Sequence, residues 1–191
     1  MRLFVACLLP AELRQEIAQV KALLGGAGRG IAGLKWVDPE NLHVTLKFLG
    51  DVKPQDAGRV DAALGGCCGK AVPFDCRVAG LGAFPSSSSL RVLWAGMETG
   101  AKEMGALAKS IEDALRPLGF ERESRGFSAH ITLARARDRV AMPSLETLAP
   151  GLPAKVFGEF QVGGFSLMES DLRPHGPVYT ELSSYALSGQ P

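Results

Sequence analysis

The sequence predicts an α+β fold: bilobal, with two similar lobes of antiparallel sheet and outer helices around a central cleft. Three observations carry that expectation. Segments of apolar–polar alternation are mixed with segments of helical period, without the regular strand–helix alternation of a parallel sheet. The pattern His, β-branched apolar residue, Thr, Leu stands twice, at His43 and at His130, each time in an alternating segment after a helix-bearing one. Strand-like runs then crowd the C-terminal part of the chain. The whole of 1–191 is taken as a single two-lobed domain.

In chain order, "RLFVACLL" is a short apolar run that reads as a buried strand. Arg2 and the apolar residues behind it mimic a signal peptide, but Pro10 and "AELRQEIAQVKALL" follow directly with no small-residue cleavage site. Pro10 opens a helix with Leu13, Ile17, Val20 and Leu24 on one face, stopped by Gly25-Gly26. "LKWV" is a strand and "DPEN" a turn. In "LHVTLKFLG" strict alternation sends His43, Thr45 and Lys47 one way and Val44, Leu46 and Phe48 the other. A weaker helix spans Pro54 to Leu64. "PFDCRVAG" and "RVLWAG" are strands, and "AFPSSSS" between them is expected to be a polar loop. Met104, Leu107, Ala108, Ile111 and Leu115 mark an amphipathic helix ended by Pro117. "AHITLARAR" returns to alternation. A short helix from Pro143 to Leu148 and three antiparallel strands, "KVFGEFQV", "FSLMESDL" and "VYTELSSYAL", complete the chain.

Composition narrows the function. A net charge of +1 excludes a bulk polyanion binder and leaves room only for a local basic footprint. No apolar run approaches the roughly 20 residues that span a bilayer. Cys7, Cys67, Cys68 and Cys76 contain no CxxC pair and have no histidine near them in sequence; they read as reduced thiols of a cytoplasmic protein.

Only three histidines occur, and two of them share one frame. Residues i and i+2 of a strand project from one face, so each motif presents an imidazole beside a hydroxyl. Placed face to face, two such strands line a cleft with two of each. Zinc is a poor occupant, since it wants at least three protein ligands and threonine is not a usual one. A threonine nucleophile would need a third orienting group and would not need duplication. Two histidines suit acid–base work near neutral pH, one removing a proton from water and one giving a proton to a leaving oxygen. Hydroxyl donors around an anionic centre then fit in-line phosphoryl transfer.

These residues resemble the two-histidine phosphoesterase superfamily with its paired H-x-T-x motifs. The blocks "RLFVACLLP", "WVDPENLHVTLKFLGDV", "RGFSAHITLAR" and "FSLMESDLRPHGPVYTEL" are similar to the RNA 2′,3′-cyclic phosphodiesterases, also called 2′-5′ RNA ligases. One departure is Ala129, where that family commonly has proline before the second histidine; alanine loosens the strand entry without removing a chemical group. The resemblance implies opening of an RNA 2′,3′-cyclic phosphate to a 2′-phosphomonoester, without metal or cofactor. It implies RNA ends or nucleotides as partners; the lack of a long apolar run speaks for no membrane, and no obligate protein partner is inferred. It makes His43 the proton donor to the departing 3′ oxygen, His130 the base that activates water, and Thr45 and Thr132 the phosphate holders. Arg135 is a candidate phosphate clamp, and Phe48 a candidate for base stacking. Strict alternation turns Arg135 away from His130, and for Phe48 core packing is an equal expectation. His175, in a Pro-Gly loop, reads as structural. Arg122, Arg125, Arg137 and Arg139, with Glu121, Glu123 and Asp138 among them, form either a track for RNA backbone or a solvated face. Cleavage or joining of 2′-5′ linkages, and non-catalytic binding of RNA ends, remain the alternatives.

Overall fold

The computed structural model describes residues 1–25, 33–86, 89–124, 126–141, 144–174 and 176–189. His175 and Arg125 lie outside the described residues, so the expectations attached to them are not tested by the structure. Among the described residues nine strands form one sheet. In chain order the elements are β1 (Arg2–Leu8), α1 (Ala11–Gly25), β2 (Leu34–Trp36), β3 (His43–Asp51), α2 (Pro54–Gly65), β4 (Phe74–Ser86) and β5 (Ser89–Thr99). They continue with α3 (Ala101–Leu115), β6 (His130–Ala141), α4 (Leu145–Leu148), β7 (Val156–Val162), β8 (Gly164–Arg173) and β9 (Gly176–Ala186).

The strand order is β7-β4-β5-β6-β3-β1-β8-β9, with β2 paired to β6. All pairings are antiparallel. Each half of this order contains two neighbouring strands joined through a helix: β1 and β3 through α1, with β2 following the helix, on one side, and β5 and β6 through α3 on the other. The second strand of each unit carries the histidine motif, and those two strands meet in the middle of the sheet. That is the duplication expected from the repeated tetrapeptide, made physical.

One apolar cluster runs under both halves. Leu13, Ile17 and Val20 of α1 and Met104, Leu107 and Ile111 of α3 belong to it together with Val44 and Leu46 of β3 and Ile131 and Leu133 of β6. The helices form because their apolar residues recur every three or four positions, leaving the other flank to charge. Burying those stripes against the alternating apolar face of the strands is the main stabilising contribution. Phe4, Ala6 and Met168 form a separate small cluster with Tyr179.

One expectation fails at the tip of the β4–β5 hairpin. The segment read as a polar loop is strand up to Ser86, with Phe84 opposite Val92, Pro85 opposite Leu90 and Ser86 opposite Ser89. Gly, Ala, Pro and Ser carry too little hydrophobic contrast to show a period of two. The pairing partner decides the conformation here.

Candidate active site

The site is built on two strand irregularities. On β3, Ala6 faces Thr45 and the next bridged pairs are Val5–Lys47 and Phe4–Phe48, so Leu46 is an extra residue. On β6, Trp94 faces Thr132 and the next pairs are Leu93–Ala134 and Val92–Arg135, so Leu133 is extra. A bulge of one residue moves every later side chain to the opposite face. Both strands therefore bury two consecutive residues, Leu46 with Lys47 and Leu133 with Ala134. Beyond the bulge Phe48 and Arg135 return to the face of the histidines.

Strict alternation is thus corrected at three positions. Arg135 lies on the histidine face, donating to Thr132 Oγ1 at 3.5 Å. Phe48 is 57% exposed on that face and does not pack into the core. Lys47, expected beside His43 and Thr45, is on the opposite side and 3% exposed, where its ammonium meets Glu112 Oε1 at 3.1 Å and the Glu121 carbonyl at 2.8 Å.

The two motif strands are neighbours edge to edge, not face to face. They meet at the pair Val44–Ile131, both fully buried. Antiparallel pairing there sets His43 beside Thr132 and Thr45 beside His130 on the opposite face. The two histidines occupy one diagonal of this four-cornered arrangement and the two threonines the other. Diagonal neighbours across a sheet are about 7–8 Å apart. His43 feels the positive charges of Arg135 and His130, so these groups share one electrostatic environment.

Both imidazoles are fixed in the same way. Nδ1 of His43 is 2.7 Å from the Asn41 carbonyl, and Nδ1 of His130 is 2.7 Å from the Ser128 carbonyl. A carbonyl only accepts, so Nδ1 carries the proton in both rings and Nε2 is the nitrogen that exchanges protons. Asn41 is itself held by its side-chain amide, which donates to the Pro177 carbonyl at 3.1 Å. Nε2 of His43 lies 3.0 Å from Thr45 Oγ1. Burial lowers the His43 pKa below the usual histidine value, the Asn41 hydrogen bond opposes this, and the charges of Arg135 and His130 add to the lowering.

Each ring is walled by two aromatic side chains. Phe4 and Tyr179 stand 5.0 and 5.5 Å from His43, ring centre to ring centre. Phe84 and Trp94 stand 5.4 and 6.5 Å from His130. Trp94 lies across a trough of two glycines. A Cβ on Gly82 would fall 2.1 Å from the indole, and one on Gly96 would be 3.1 Å from it. Sequence reasoning missed all four aromatics. For Trp94 a signal existed, because glycines inside strands mark a close approach. For Phe4 there was none, because the residues around it are buried on both faces of the sheet and alternation is hidden.

Among the described residues no three His, Cys, Asp or Glu side chains converge. What does converge is two imidazoles, two hydroxyls and a guanidinium, a set with the chemistry to move protons and to hold an anion.

The model of the family described as LigT like Phosphoesterase matches residues 8–94 and 96–179. An Archaeoglobus fulgidus protein named RNA 2′,3′-cyclic phosphodiesterase is 36% identical over 182 residues, 95% of this chain and 98% of that one. A Thermus thermophilus protein of the same name is 35% identical, covering 100% of this chain and 92% of its own. Among solved structures, one from Thermus thermophilus superposes with a TM-score of 0.81 at 33% identity over 100% of both chains. E. coli LigT complexed with 3′-AMP does so at 0.78 and 28%, over 98% of each chain. With a motif pair, a fold and a family model that coincide over most of its length, this chain belongs to the LigT-like phosphoesterase family.

Proposed function

We propose that this chain hydrolyses the 2′,3′-cyclic phosphodiester ends of RNA to 2′-phosphomonoesters, by acid–base work of its two histidines and without metal. The observation that carries this reading is the crossing of the His43–His130 and Thr45–Thr132 diagonals over the Val44–Ile131 pair. A phosphorus centred above that crossing has an imidazole on either side, as in-line displacement needs, and hydroxyls flanking the line. The names of the relatives support the same chemistry.

In the proposed sequence, Nε2 of His130 takes a proton from water and the water oxygen attacks phosphorus. The P–O3′ bond breaks and His43 gives its Nε2 proton to the 3′ oxygen, leaving the phosphate on the 2′ oxygen. Thr45, Thr132 and Arg135 donate to the non-bridging oxygens as charge builds there. His43 must enter protonated, against a lowered pKa. The bound anion offsets the repulsion from Arg135, and His130, neutral as the base, adds none in the working state. Phe48 offers an exposed ring for the base. The whole chain acts as one two-lobed domain, because each half supplies one histidine. Four free thiols support a reducing, cytoplasmic setting, and no helix among the described residues is long and apolar enough to cross a membrane.

The test is turnover of a nucleoside 2′,3′-cyclic phosphate in EDTA with the product identified. Expected is a 2′-phosphate at an undiminished rate. Loss on chelation, or a 3′-phosphate product, overturns the reading. His43→Ala and His130→Ala each lower kcat by about 10²–10⁴. A second reading, cleavage or joining of 2′-5′ linkages, is favoured by the aromatic wall at each histidine, since such a diester brings a base to both sides. A comparison of 2′-5′-linked dinucleotides with cyclic phosphates separates the two.

A further inference from the structure

We infer that a cationic strip leading away from Arg135 holds the single-stranded RNA that precedes the cyclic phosphate, so that the enzyme acts on RNA ends better than on mononucleotides. The inference rests on the reading above and deepens it.

Four strands place one row of side chains in register on the site face: Lys35 of β2 opposite Arg135 of β6, Arg135 opposite Val92 of β5, and Val92 opposite Phe84 of β4. Beyond Arg135 the strand continues with exposed Arg137 and Arg139. Arg91 of β5, also exposed, donates to the Arg137 carbonyl at 3.3 Å. Among the described residues none of Lys35, Arg91, Arg135, Arg137 and Arg139 has a carboxylate within ion-pair distance, although Asp138 stands between two of them. Arg14, Arg59, Arg77, Arg122 and Arg173 each do have one. The chain as a whole balances 21 basic against 20 acidic residues, so this local excess of one sign is not a bulk property.

Charges of one sign left together without partners repel each other, and an external anion relieves that repulsion. Position names the anion. The strip is continuous with the phosphate site through Arg135 and Thr132. It runs on the strand that carries His130. Its row ends on Phe84, 37% exposed, whose ring gives a base something to stack on. A chain of phosphates with bases attached matches that sequence of groups; a lone phosphate does not. The expectation of a track around the second motif is thereby narrowed. Arg137 and Arg139 lie on it, whereas Arg122 is engaged by Asp113 on α3.

The experiment compares a nucleoside 2′,3′-cyclic phosphate with a six-nucleotide RNA ending in the same group, in the wild type and in Lys35→Glu/Arg91→Glu/Arg137→Glu/Arg139→Glu. For the wild type, log(kcat/KM) of the RNA falls more steeply with log salt than that of the mononucleotide, by about 0.7 for each extra phosphate engaged. The variant loses that extra slope, and its KM for RNA rises about tenfold or more at low salt. Its mononucleotide turnover is unchanged. Equal slopes in the wild type, or a variant that keeps the steeper slope, overturn the strip. If the wild type turns over no cyclic phosphate at all, the functional reading fails on its own. The strip is then judged by fluorescence anisotropy with RNAs of one to six nucleotides ending in a 2′-phosphate. Affinity that grows with length and is lost in the variant supports it, and length-independent affinity overturns it. Circular dichroism checks the fold, and the four Gln substitutions replace Glu if the reversed charges disturb it.

Discussion

The fifth residue after each motif histidine is Phe48 in one half and Arg135 in the other. Both are returned to the site face by equivalent bulges, yet one is an aromatic ring and the other a cation. Geometry repeats here while chemistry does not: one half offers a ring and the other a charge. Arg135 also helps lower the His43 pKa. In Arg135→Gln that repulsion is gone and the imidazolium of His43 holds its proton to higher pH. In the proposed mechanism the acid form of His43 is the working form, so the alkaline limb of kcat/KM, which reports the free enzyme, shifts upward in pH. At the same time kcat/KM falls about tenfold or more with the lost charged hydrogen bond. A limb that stays put or moves down assigns the proton donation to a group other than His43. Arg135 and Phe48 were legible as candidates but not as neighbours of the histidines. Alternation is a rule about unbroken strands, and Leu46 and Leu133 look in sequence like any other apolar position.

At the scale of elements, the same bulge that aims Phe48 outward turns Lys47 inward. Lys47 meets Glu112 of α3, whose Oε1 also accepts the Glu123 amide at 2.9 Å. Strand, helix and the segment that leads toward Ser128 and His130 are thus tied behind the site by one ion pair, buried at Lys47 and half-buried at Glu112. Removing either partner costs the other a charge-assisted hydrogen bond in a setting water reaches only in part. Lys47→Met therefore costs about 1–3 kcal/mol of stability, read as a lower urea midpoint at an unchanged slope. Lys47→Met/Glu112→Leu recovers part of that loss, because no lone charge remains. A single substitution with no effect on the midpoint sinks the claim that the pair is structural. Nothing in the sequence announced this pair, since a lysine inside an alternating strand is read as solvent-facing until its register is known.

For the whole molecule, the sheet order places the two motif strands at the centre and β7 and β9 at its ends. Both flanks of β3 and β6 are occupied over the motif, by β1 and β5 and by each other. Amide hydrogen exchange is slowest at Val44 and Ile131 and fastest along the outer side of β7 and β9, because opening the centre requires disrupting the shared core. Uniform protection, or early exchange at Val44 and Ile131, contradicts a core common to both halves. The site inherits that rigidity: each histidine belongs to a different half, and only the joint between halves sets their separation.

Local pattern was sufficient for much of this. Alternation and helical period located most strands and the main helices, and the repeated His–x–Thr–Leu frame singled out the two imidazoles and two hydroxyls that the fold brings together. Those features depend on residues within a few positions of each other, which is the range over which sequence patterns are read. The rest depends on partners far along the chain. The bulges exist because β1 and β5 impose their registers, the aromatic walls come from strands in both halves, and the hairpin tip is strand only because Val92, Leu90 and Ser89 lie opposite it. Which side of a strand a residue occupies after such an interruption is a property of the paired sheet, so the tertiary structure alone decided that Phe48 and Arg135 stand beside the histidines and Lys47 behind them.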